Sequence, residues 1–158
     1  MTSRLLLLLV SVSFAFLPAS TGEARSSKSL TIKVLSVVSG VGQKDVEPKG
    51  LSAGDRITMT DRLHNLAPQF GKPKGALIGS DVGISTVRQS GHVVDFRGTA
   101  RLPGGTVRVK GRFTASGTLP RVTVVGGTGR FSQARGTVSL TDLAAKGRAK
   151  NVFRLTLP

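Results

Sequence analysis

Two aspartates occupy positions where a β-strand would be expected to turn an apolar face inward. The stretch RITMTDRLHN (residues 56–65) alternates, so Ile57, Met59, Asp61 and Leu63 share one face. In GALIGSDVG (75–83) and the residues after it, Leu77, Gly79, Asp81, Gly83 and Ser85 share a parity, and Ile78, Val82 and Ile84 share the other. Two carboxylates on neighbouring strands, facing one pocket, raise each other's proton affinity and leave at least one partly protonated. Such a pair suits proton transfer, or it orients the polar end of an apolar ligand. A structural role stands beside these: an inward aspartate also accepts hydrogen bonds from loop amides or pairs with an arginine.

Other chemistries find little support. The chain has no cysteine, which removes thiol nucleophiles, thiolate metal sites and disulfides. His64 and His92 form no metal-spaced cluster, and no Ser-His-Asp arrangement can be built, so neither a metal nor a cofactor is expected. The glycine-rich VVGGTGRFSQARG (124–136) lacks the Lys-Ser/Thr and the helix of a phosphate loop. It reads instead as a strand, a tight turn at Gly126, Gly127 and Gly129 with positive φ angles, and a return strand. Arg130 and Arg135 are expected to pair with acids across that hairpin, and Asp55 to start a strand or bond a turn.

The elements that must position the aspartates are strands. Residues 1–24 combine a short basic start, the apolar run LLLLLVSVSFAFL, Pro18 and small residues, the pattern of a secretory signal peptide. Residues 25–29 form a flexible lead-in, and the domain runs from 30 to 158. Within it no helical period is sustained. Eight alternating segments, at about 30–39, 55–63, 76–88, 92–102, 105–115, 120–126, 134–142 and 149–157, read as strands with mostly short connections. The exception is a longer loop over 40–54. The fold class is all-β, an eight-stranded antiparallel barrel, whose interior is wide enough to hold one small ligand or to be filled by side chains. Alternation turns Val94, Phe96, Gly98, Ala100 and Leu102 inward on the fourth strand, and Val107, Val109, Gly111 and Phe113 inward on the fifth. The outer face of that pair carries a basic stripe of Arg97, Arg101, Arg108, Lys110 and Arg112.

The glycine stretch resembles the signature of dirigent proteins and of the related allene oxide cyclase barrels. GGTVRVKGRF (104–113), GDRITMTDRLHN (54–65), GALIGSDVG (75–83) and DVEPKGLSAGD (45–55) extend the likeness over nearly the whole mature chain, the last resembling bacterial members. The resemblance implies an eight-stranded barrel with a central cavity, often assembled as trimers. It places Asp61 and Asp81 at cavity positions, with Ile57, Met59, Val94 and Phe113 lining the same space. Two departures stand out. The first strand, SLTIKVLSVVSG, has Ser36 near the place of the family's acid, and Phe113 replaces the cyclases' cavity tyrosine. The missing acid argues against fatty-acid epoxide cyclisation and against phenoxy-radical coupling, and the missing tyrosine argues against the cyclisation.

The net charge is +15, and removing the leader takes away one charge of each sign. Such a surface keeps an exported domain soluble or attracts anionic polymers and surfaces. With no Trp and no Tyr, the stacking used for single strands is poorly supplied, and no specific nucleic-acid motif is present. Three functions remain: binding of a small, largely apolar ligand, a cofactor-independent cyclase or isomerase using Asp61 and Asp81, and docking to anionic polymers through the basic face.

Overall fold

Alternation of apolar and polar residues over short runs, broken by Gly and Pro, produces strands that bury one face each. The computed structural model describes residues 27–88, 93–114, 121–144 and 147–158; the expected signal peptide and His92 lie outside them. Eight strands follow in chain order: β1 (Lys28–Lys44), β2 (Arg56–Asn65), β3 (Leu77–Val87), β4 (Val93–Leu102), β5 (Gly105–Thr114), β6 (Arg121–Gly127), β7 (Arg135–Asp142) and β8 (Arg148–Leu157). Each pairs antiparallel with its neighbour in sequence, and β8 pairs with β1 to close the barrel. Closure leaves no sheet edge.

The two halves of the barrel interior are filled differently. Towards one end, Ile32, Val34, Leu63, Ile78, Leu102, Val107, Phe131, Phe153, Leu155 and Leu157 pack into one core. Bulky inward residues close this end, helped by Phe70 from the loop after β2. Buried Asn65 fixes that loop, its amide donating to the carbonyls of Gln69, Lys72 and Pro73. Towards the other end several inward positions are small, Gly83, Ser85, Gly98, Ala100 and Ala149 among them. With so many small side chains interspersed, this half of an eight-stranded barrel is left partly unfilled.

Three expectations change. β1 runs to Lys44, so the long loop is shorter than 40–54, because Val41 to Lys44 continue the ladder with β2. Asp55 staples what remains: its carboxylate accepts from the backbone N–H of Ser52 (2.7 Å) and Val46 (2.8 Å), and these bonds hold it below the usual carboxylate range. The glycine stretch is no tight hairpin. β6 ends at Gly127, a 3-10 turn spans Gly129–Phe131, and β7 starts at Arg135. Gly126 and Gly129 have positive φ as expected, whereas Gly127 is needed because a side chain there would strike the backbone of Thr106. The extra length lowers Phe131, fully buried, into the closed end as a plug. Arg130 and Arg135 make no ion pair among the described residues. The Arg130 guanidinium packs over the rings of Phe70 and Phe131, and Arg135 donates to the carbonyl of Ala134.

Candidate functional site

The small inward residues leave a cavity of about 570 Å³. It reaches the surface at the end bearing exposed Met59, Thr141 and Asp142. Its apolar wall includes Phe96, Val109, Phe113, Val138, Leu140 and Phe153. Asp61 and Asp81 both line it, and β2–β3 pairing sets them directly opposite each other. Side chains so paired lie on one face with their Cβ atoms about 5 Å apart.

The two acids are held differently. Asp61 Oδ2 accepts a hydrogen bond from Ser36 Oγ at 2.5 Å. Ser36, almost fully buried on β1, thus stands beside the acid on the neighbouring strand. Asp61 Oδ1 is buried without a hydrogen-bond partner among the described residues. The carboxyl of Asp81 is pushed up to about 7, first by burial and then by the charge of Asp61. Near neutral pH it therefore exists both with and without its proton. Asp81 thus shows the rise expected of a carboxyl facing a second acid, with burial the larger cause.

Of the other positions expected to line the cavity, Met59, Phe96, Val109 and Phe113 do so. Leu77, Ile57 and Val94 do not. At Leu77 a β-bulge is responsible: Leu63 pairs with Gly79 but His64 pairs with Leu77, so Ile78 is the extra residue. Ile78 turns into the core and Leu77 is 50% exposed, the reverse of simple alternation. Ile57 keeps the cavity-facing register opposite Ser85, yet sits at the rim and is 42% exposed. Val94 is buried at the same end of the barrel but outside the cavity lining.

Sequence reasoning passed over Ser36 as a binding partner, and also Asp142 and Asn151. Asn151 shares the parity of Phe153, Leu155 and Leu157, so alternation alone marks it as inward. It is 5% exposed, lines the cavity, and its side-chain oxygen has no hydrogen-bond partner among the described residues. No group of three His, Cys, Asp or Glu side chains among the described residues is placed to hold a metal ion. His64 lies outside the cavity lining, its Nδ1 donating to the carbonyl of Gly75 at 3.1 Å.

No protein-family profile and no curated protein matches the sequence. Solved structures do match. The Diels-Alderase AbmU from Streptomyces koyangensis superposes with a TM-score of 0.66 at 18% identity, over 85% of this chain and 71% of its own. A pyocyanin demethylase gives 0.63 at 20%, over 80% and 99%. The pterocarpan synthase dirigent protein GePTS1 gives 0.57 at 22%, over 92% and 96%. Likeness at such identities is likeness of fold, and it agrees with the motifs shared with dirigent and allene oxide cyclase barrels: the chain is a closed eight-stranded antiparallel barrel of the kind found in dirigent proteins and cyclase barrels.

Proposed function

We propose that the protein is an exported barrel that binds one small, largely apolar molecule in its cavity, with Asp61 and Asp81 at the polar end. The cavity carries this reading. Its volume of about 570 Å³ suits a small organic molecule, and three phenylalanines, Phe96, Phe113 and Phe153, stand in its wall beside a few polar groups. Native mass spectrometry of protein purified from its host's medium tests it. A non-covalent mass increment is expected, and it should be lost in a folded Gly83→Leu variant that fills the cavity. An increment retained by that variant would overturn the reading. The same spectrum reports whether three copies assemble, as the resemblance implies.

The protonation of Asp81 favours a second reading, a cofactor-independent cyclase or isomerase. A carboxyl poised near 7 can give a proton to a reacting atom and take one back, while Asp61, fixed by Ser36, stabilises positive charge that develops nearby. Barrels of this fold include a named Diels-Alderase and a named pterocarpan synthase. On an identified substrate, Asp61→Asn or Asp81→Asn should abolish turnover while changing affinity modestly. Full rate in both variants would sink the enzyme reading.

A further inference from the structure

The charge of the cavity opposes that of the rest of the molecule. The protein carries +15, yet among the described residues no Lys, Arg or His lines the cavity. Three of the eight acidic residues in the whole chain, Asp61, Asp81 and Asp142, do. Asp142 stands at the exposed rim, and the other two lie deeper. The polar end is also rich in acceptors lacking donors. Asp61 Oδ1 and the side-chain oxygen of Asn151 are both buried without partners among the described residues. Ser36 already occupies the second oxygen of Asp61.

An anionic guest would bring its charge against these carboxylates, with no cation among the described lining residues to receive it. Burial of an unpaired charge is costly. A protonated amine brings the opposite charge and up to three N–H donors, which match an acceptor-rich wall. The rings of Phe96, Phe113 and Phe153 offer faces that attract a cation. We infer that the cavity's guest is an organic amine: an apolar body carrying a protonated nitrogen that is held at Asp61, Asp81 and Asn151. This inference rests on the reading of the cavity as a small-molecule site and names the class of molecule it takes.

Three probes sharing one ring test it: naphthylmethylamine, naphthylmethanol and naphthylacetate. The protein has no Trp and no Tyr, so naphthalene fluorescence is read against a dark background. The amine should bind tightest and the acetate weakest, with roughly a tenfold or larger gap between these two, the scale of one charge-assisted hydrogen bond. In Asp61→Asn and in Asp81→Asn, each first shown to melt cooperatively, that gap should shrink severalfold. Acetate binding as tightly as the amine in the parent protein would overturn the inference and leave the small-molecule reading standing. An amine preference that survives in both folded variants would also overturn it. No binding by any of the three would remove both readings. The parent protein alone decides the first comparison, so a variant that fails to fold does not rescue the idea.

Discussion

Among the described residues, Asp81 is the one whose environment departs furthest from what water would give it. Its carboxyl moves from an ordinary 3.8 to about 7 in the folded barrel. The folded state therefore holds this proton more tightly than the unfolded chain. The resulting contribution to stability is complete below the ordinary value and is lost as pH rises through about 7. The Asp81→Asn variant lacks the titration. It should melt higher than the parent at about pH 8, by an amount on the order of 2 kcal/mol allowing for partial exposure, with little difference at about pH 4. Thermal melts of both proteins across that range check this, and parallel curves would assign the titration to another group. At this scale the sequence was partly legible. Asp61 stood out because it interrupts the face shared by Ile57, Met59 and Leu63. Its partner Ser36 did not, since 25 residues separate the two and only the β1–β2 register brings them together.

Strands were legible because period-two alternation is a local signal, and it located all eight. What it could not show was where the period breaks. The bulge at Ile78 reverses the faces of Leu77 and Ile78 relative to the count, and a second at Ser39 shifts β1 against β2. A bulge is set by pairing with another strand, which no single strand's sequence reveals. The loop after β6 teaches the same lesson: its glycines were recognisable, but the depth to which it drives Phe131 was not. This element has a sharp test. Gly129 and Gly71 both have positive φ, yet a side chain at Gly129 would meet the backbone of Gly104, whereas Gly71 faces open space. Gly71→Ala should cost about 1–2 kcal/mol from conformational strain alone. Gly129→Ala should cost at least about twice as much, because the backbone must also move. Denaturant unfolding of the two variants measures the difference, and equal costs would show that the loop yields freely.

Across the whole molecule, cations cover the wall while Asp61 and Asp81 face the interior. On the β4–β5 face, Arg97, Arg101, Arg108 and Lys110 point outward as alternation predicts, while Arg112 joins Arg88 in pairing with Asp95. We propose that this wall attracts anionic polymers. Binding to inorganic polyphosphate should weaken steeply with salt, and replacing Arg97, Arg108 and Lys110 with Gln should flatten the salt dependence by roughly one unit of slope per charge. Affinity indifferent to salt would show that the charge serves only solubility.

Barrel closure has one more consequence, and it concerns attachment. Lys28 at the start of β1 pairs with Leu157 at the end of β8, so the two ends of the barrel domain leave it side by side. They do so beside the packed core, at the end opposite the rim where Met59 and Asp142 are exposed. Any tether, tag or fused domain joined at either end is therefore anchored behind the barrel, and the mouth stays free to face its surroundings. A short linker joining the two ends would span little distance, which makes the chain a natural candidate for circular permutation, with new ends placed elsewhere and the cavity left intact.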